Sequence, residues 1–111
     1  KYDAKKVQGL QDALTDLAAF DQQVRIIKEL VLCGIVPAET SITEMQQLAA
    51  KLKSHAKAIK PGFVAQANLK RTKNTDDKNM LDLLANRLEE DLRNYADSQL
   101  ALVDTYRMNY L

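Results

Sequence analysis

The stretch "SITEMQQLAAKLKSHAKAIKPG", residues 41–62, decides the fold of this chain. Ser41 followed three positions later by Glu44 is typical of a capping box, in which the two side chains satisfy free amides at a helix start. The apolar side chains then recur every three or four residues, which predicts an amphipathic helix that buries Ile42, Met45, Ala49, Leu52, Ala56 and Ile59. Pro61 and Gly62 predict its end or a kink, because proline has no amide donor and disfavours helix at the preceding residue.

Two longer helical patterns flank this stretch. From about residue 3 to 33, the polar residues, Asp16 among them, fill one side, and apolar residues recur at positions 7, 10, 14, 17, 20, 24, 27, 30 and 31. Gly34 and Pro37 predict the end of this first helix. After a polar link, the chain to its end lacks Gly and Pro and has apolar residues at positions 81, 84, 88, 92, 95, 102, 103, 106 and 110. This pattern predicts one long last helix.

The lengths of these segments predict the architecture. Each spans roughly 31–35 residues, which at about 1.5 Å per residue gives rods on the order of 45–50 Å. We therefore expect an all-α fold, an antiparallel bundle of three long helices with the middle one kinked at Pro61 and Gly62, as a single domain over residues 1–111. A four-helix bundle with a short third helix over residues 63–72 stays open. The chain lacks an initial Met and ends on an apolar stretch, so we expect a domain of a longer protein.

Charge is distributed unevenly along the chain. Residues 1–44 hold five basic and seven acidic side chains, residues 45–75 hold seven and none, and residues 76–111 hold four and eight, so the net charges −2, +7 and −4 sum to +1. The basic segment predicts a partner-binding patch of Lys53, Lys57, Lys60, Lys70, Arg71 and Lys73. Three interpretations stay open: pairing with the acidic helices of the same bundle, an acidic protein partner, and nucleic acid or anionic lipid.

No motif of a catalytic, cofactor or metal site is present in the sequence. His55 is the only histidine and lies beside the apolar stripe, so we expect a boundary residue that a neighbouring helix half covers. Cys33, in an apolar run, is expected to be a small buried side chain. At the end of the chain, Tyr106, Met108 and Tyr110 are predicted to contact a partner, because Tyr and Met are common in protein interfaces. Packing of the tyrosine rings in the core, with the hydroxyl at the rim, stays open as the alternative.

These observations favour a non-enzymatic protein–protein interaction module of a larger assembly or adaptor, without a cofactor. Two alternatives stay open: a ligand-sensing bundle of a membrane receptor, and polyanion or membrane-surface binding through residues 51–73. We expect a protein partner, with an acidic surface as one option, and self-association stays open. The lone Cys fits the cytoplasm, although a periplasmic domain is compatible with it. No stretch approaches the roughly 20 apolar residues of a membrane span.

Overall fold

The computed structural model describes residues 3–69 and 75–110, and all of its regular structure in these ranges is helical. Helix α1 spans Ala4–Leu32 and α2 spans Glu39–His55. A 3-10 turn at Ala56–Ala58 leads into α3, Ile59–Leu69, and α4 spans Thr75–Tyr110. The predicted all-α fold is confirmed. None of these helices is long and apolar enough to cross a membrane.

The middle rod consists of α2, the 3-10 turn and α3. Pro61 is the third residue of α3, where a first-turn position tolerates the missing amide. In a regular α-helix the Pro61 ring would clash with the carbonyl of Lys57, four positions earlier. Lys57 lies instead in the tighter 3-10 turn. The predicted break of the middle helix is therefore confirmed, and it lies just before Pro61.

Two groups of buried side chains show how the rods run. One group joins the C-terminal half of α1 to α2 and to the C-terminal half of α4, and it includes Phe20, Val24, Ile27, Ile42, Met45, Leu52 and Val103. The other joins the N-terminal half of α1 to the turn, α3 and α4, and it contains Leu10, Ala13, Ala56, Ile59, Ala85 and Leu92. Helices α1 and α4 are therefore parallel to each other and antiparallel to the middle rod. The start of α1 and the end of α4 lie at opposite ends, as three rods require and four do not.

Helix α3 approaches α1 closely because both carry small residues at the contact. A Cβ atom added to Gly62 would lie 2.4 Å from the Cβ of Leu10 and 3.0 Å from the carbonyl oxygen of Lys6. A Cβ atom added to Gly9 would lie 3.3 Å from the Cβ of Ala58. Glycine at position 62 is therefore required for this helix–helix distance.

The predicted end of α1 is confirmed. Gly34 has φ +76° and its amide donates to the carbonyl of Val31, while the amide of Ile35 donates to that of Leu30. This pair of bonds is a Schellman motif, which uses a left-handed residue to satisfy the last carbonyls of a helix.

The predicted capping box at Ser41 is wrong. Helix α2 begins two residues earlier, at Glu39, and its N-cap residue Ala38 makes no side-chain capping bond. The Glu39 carboxylate lies in the first turn, where the helix dipole favours negative charge, and it also pairs with Arg107 of α4 at 3.2 Å. The start of α2 is thus tied to α4 instead of being capped locally.

The predicted buried faces of α1 and α4 are partly wrong. Leu14 and Leu84 are exposed, whereas Ala13, Asp16 and Ala85 are buried. The rods approach each other along rows of small side chains, and these rows take the interior positions in place of the neighbouring leucines.

Candidate functional site

The basic segment is partly engaged inside the molecule. The Lys53 ammonium lies 2.8 Å from a carboxylate oxygen of Asp97 on α4, and the Lys51 ammonium lies 3.5 Å from Asp16 on α1. Lys57 is exposed and Lys60 is half-buried, and neither has an ion-pair partner among the described residues. Lys70, Arg71 and Lys73 lie outside the described residues. The segment therefore links both acidic helices at Lys51 and Lys53, and its role toward a partner stays a prediction.

A buried carboxylate forms the centre of a small polar cluster between α1 and α2. The Asp16 side chain is 7% exposed, and its Oδ2 accepts a hydrogen bond from Nδ1 of His55, which is 42% exposed. Lys51 contacts the other oxygen of the same carboxylate. His55 is thus the half-covered boundary residue that its position predicted, and Asp16 is a partner that the sequence analysis does not predict.

The spacing of α1 contains a signal for Asp16. Positions 7, 10, 13, 16, 20, 24, 27 and 31 are the buried residues of α1, and they recur every three or four residues. An acidic residue inside such a row predicts a buried carboxylate with a cationic partner on a facing helix.

Cys33 is exposed, so its predicted burial is wrong. Helix α1 ends at Leu32, and Cys33 is the C-cap residue that leads into the loop, outside the bundle core. Within residues 3–69 and 75–110, no group of three or more His, Cys, Asp or Glu side chains is placed to hold a metal ion.

A shallow groove of about 530 Å³ runs between α1 and α4. We call it the α1–α4 groove, and its lining residues are Leu14, Leu17, Ala18, Asp21, Asp91, Leu92 and Tyr95. The Tyr95 hydroxyl donates a hydrogen bond to Asp21, and the Tyr95 ring packs edge-on against Phe20 with centroids 6.0 Å apart. This arrangement fixes one wall of the groove.

The Asp21–Tyr95 bond shifts both groups away from their ordinary pKa values. Desolvation, together with the bond to Asp21, raises the pKa of Tyr95 from 10.0 to about 12. The bond from Tyr95, with help from Arg25 at 2.9 Å, lowers the pKa of Asp21 below 3.8. Folding therefore favours the neutral phenol and the ionised carboxylate.

We expect Tyr95→Phe to lower the free energy of unfolding by about 1–2 kcal/mol at neutral pH, because a hydrogen bond to a charged group is lost. In the wild-type chain, Tyr95 stabilises the fold fully below pH 10, and this contribution is lost as the pH rises from 10 to about 12. In Tyr95→Phe, the free energy of unfolding should therefore fall less over this alkaline range than it does in the wild-type chain. Urea unfolding between pH 7 and pH 12 measures both effects.

The control for this prediction is Asp21→Ala, alone and combined with Tyr95→Phe. The double-mutant cycle yields the coupling of the two side chains, free of the packing of the ring. A coupling near zero would contradict the assigned bond.

The second exposed feature lies where α4 ends beside the α1–α2 loop. We call it the end surface, and it consists of the apolar side chains Leu32, Ile35, Val36 and Met108. Val36 and Met108 line one cavity of about 650 Å³ together with Asp104 and Arg107. Of the three residues predicted at this end, Met108 is exposed, Tyr106 is half-buried against the core, and the side chain of Tyr110 lies outside the described residues.

The two surfaces differ from the His55 cluster in what they can do chemically. An imidazole oriented by a buried carboxylate resembles a general base, yet His55 lines neither the α1–α4 groove nor the end surface. Both surfaces present apolar side chains with a few charged groups at the rim, which suits binding of another protein. No protein-family model, no curated protein and no solved structure matches this chain.

Proposed function

We propose that this protein is a non-enzymatic interaction module that binds another protein through the end surface. The observation that carries this proposal is the exposure of its four apolar side chains, which ranges from 53% for Ile35 to 84% for Met108. Single exposed apolar residues are common, but Val36 and Met108 line one cavity, and Leu32 and Ile35 lie within four positions of Val36 in the chain. Apolar side chains that share a surface are typical of binding sites.

The rim of the end surface supports the same function. Arg107 lies between the carboxylates of Glu39, at 3.2 Å, and Asp104, at 4.0 Å. These pairs hold a guanidinium beside Met108 and Val36 in the cavity wall. An apolar centre with a polar rim that contains Met and Arg is the usual composition of a protein interface.

The alternatives receive less support from the geometry. A membrane-receptor sensor of the kind considered above needs both chain ends at one end of the bundle, whereas α1 starts and α4 ends at opposite ends. Polyanion binding needs free cations, and the pairing of Lys51 and Lys53 with carboxylates of the same chain leaves only Lys57 and Lys60 without an ion-pair partner in the described part of the basic segment. The interaction module requires neither feature.

We expect the double variant Val36→Glu/Met108→Glu to lose its partner while it stays folded. Arg107 is already paired with Glu39 and Asp104, so the new carboxylates gain no free counter-charge when a partner buries them. Recovery of the cross-linked partner from native extracts therefore falls at least about tenfold. Met80→Glu is the matched control, because Met80 is also exposed but lies toward the other end of α4. Circular dichroism verifies the fold of each variant.

Equal recovery of the same cross-linked protein by the wild-type chain and by the double variant would contradict the proposal. Loss of recovery in the Met80→Glu control as well would show that the added charge, and not the end surface, causes the loss.

A further inference from the structure

On both α1 and α4, an exposed leucine lies next to a buried alanine. On α1, Ala13 is fully buried while its neighbour Leu14 is 46% exposed, and on α4, Ala85 is fully buried while Leu84 is 59% exposed. Burying a leucine stabilises a fold by about 1.5–3 kcal/mol more than leaving it exposed. The apolar faces of both helices are therefore wider than the part that the bundle covers.

The two uncovered flanks border the same groove. Leu14 lines the α1–α4 groove directly. Leu84 lies two helical turns before Asp91, in the same row of the unbroken helix α4, and Asp91 also lines the groove. The cavity beside Leu84 shares Asp91 with the α1–α4 groove, so the two surfaces are continuous.

The packing of the rods leaves room for one more helix. Helices α1 and α4 pack directly against each other, through Tyr95 beside Phe20 and through residues of both buried groups. On their outer side the α1–α4 groove stays uncovered, and a helix lying along it would pack against both, as the fourth helix of a bundle does. A helix in the α1–α4 groove would cover the exposed flanks of both α1 and α4.

The charges at the groove determine the chemistry of such a helix. Asp21 is engaged by Tyr95 and Arg25, and Glu89 is paired with Arg93 at 3.6 Å. Asp91 and its neighbour Glu90 are exposed, and neither has an ion-pair partner in the described part of the chain. Arg87 lines the extension beside them, so two carboxylates and one guanidinium leave this wall acidic on balance. Residues 76–111 also carry four basic and eight acidic side chains, a net charge of −4. A complementary helix therefore needs Lys or Arg beside its apolar seam.

We propose that the α1–α4 groove binds one amphipathic helix of another protein, which places leucine-type side chains between Leu14 and Leu84 and a Lys or Arg against Asp91. This helix completes a four-helix bundle. The site lies apart from the end surface, so the two proposals can fail separately. A bound helix about 18 residues long, on the order of 27 Å, covers the groove and its extension past Leu84.

Synthetic peptides test this proposal without knowledge of the natural partner. The probe is a fluorescent amphipathic helix of about 18 residues with Leu in the seam and Lys on both flanks, and the matched probes carry Glu on the flanks or a scrambled order of the Lys peptide. Anisotropy at physiological ionic strength measures affinity for the full chain. We expect the Lys peptide to bind with a Kd below about 100 μM and at least about tenfold more tightly than both matched probes.

Variants of the chain locate the binding. Leu14→Gln/Leu84→Gln should weaken the Lys peptide at least about tenfold, and Asp91→Lys should reverse the preference in favour of the Glu peptide. All three positions are exposed or at the groove rim, so these variants are expected to fold. Val36→Glu/Met108→Glu, at the end surface, should bind the Lys peptide as the wild-type chain does.

Four results would overturn the proposal. The first is equal binding of the scrambled peptide, and the second is unchanged affinity in Leu14→Gln/Leu84→Gln. The third is a dimer in sedimentation velocity that dissociates on the same double substitution, because the groove would then hold a second copy of this chain. No measurable binding of the Lys peptide to the wild-type chain would overturn it as well.

Discussion

We expect Gly62→Ala to lower the free energy of unfolding by about 2–3 kcal/mol, although alanine is the better helix former. In an open helical position the same change would stabilise the fold by up to about 1 kcal/mol. Here the new Cβ would lie 2.4 Å from the Cβ of Leu10, 3.3 Å from its Cα and 3.0 Å from the carbonyl oxygen of Lys6. These atoms belong to the α1 backbone or are attached to it, so no side-chain rotation relieves the contact. Helices α1 and α3 must move apart, and overpacking of this kind outweighs the gain in helix propensity.

Two other glycines serve as controls in the same urea titrations. A Cβ at Gly9 would lie 3.3 Å from the Cβ of Ala58, so Gly9→Ala should cost less than Gly62→Ala. Gly34 has nothing within 4 Å but has φ +76°, so Gly34→Ala should cost about 1 kcal/mol through backbone strain alone. If Gly62→Ala stabilised the chain, the close approach of α1 and α3 would be wrong.

The helices of this fold follow from local patterns in the sequence. The stripe from Ile42 to Ile59 is buried as its spacing predicts. Gly34 ends α1, and the ring of Pro61 accounts for the break in the middle rod, because both residues act on backbone geometry within one turn. Helix α2 starts at Glu39, two residues before the predicted capping box, and the Glu39 carboxylate pairs with Arg107, far along the chain.

The surfaces depend on which side of each helix its neighbours cover, and one helix alone does not contain that information. The apolar stripe of α1 is wide enough that either Leu14 or Ala13 could be its buried residue at this level. The choice falls to Ala13 because α3, with Gly62, approaches along the row of small residues. The same geometry buries Asp16 beside His55 and leaves Leu14 at the groove. Matching the small residues of α1 with those of the middle rod predicts both the burial of Asp16 and the exposure of Leu14.

The buried Asp16 carboxylate yields the second large effect. We expect Lys51→Ala/His55→Ala to lower the free energy of unfolding by about 3 kcal/mol, because it leaves a charge of 7% exposure without a cationic partner. Asp16→Ala alone should cost about 1 kcal/mol or less, because Lys51 and His55 are half-exposed and regain water when the carboxylate is gone.

The decisive comparison adds Asp16→Ala to the Lys51→Ala/His55→Ala chain. If the double variant is unstable because of its unpaired buried charge, then removing that charge should restore most of the lost free energy, so a substitution that is mildly destabilising in the wild-type chain becomes stabilising. Lys53→Ala/Lys57→Ala is the matched control, because it also truncates two polar side chains of the middle rod but leaves Asp16 with both of its partners. Urea unfolding of the wild-type chain and the four variants at neutral pH measures the effect. If Asp16→Ala destabilises the double variant further, the side chain stabilises the core by packing and the polar cluster contributes nothing to it.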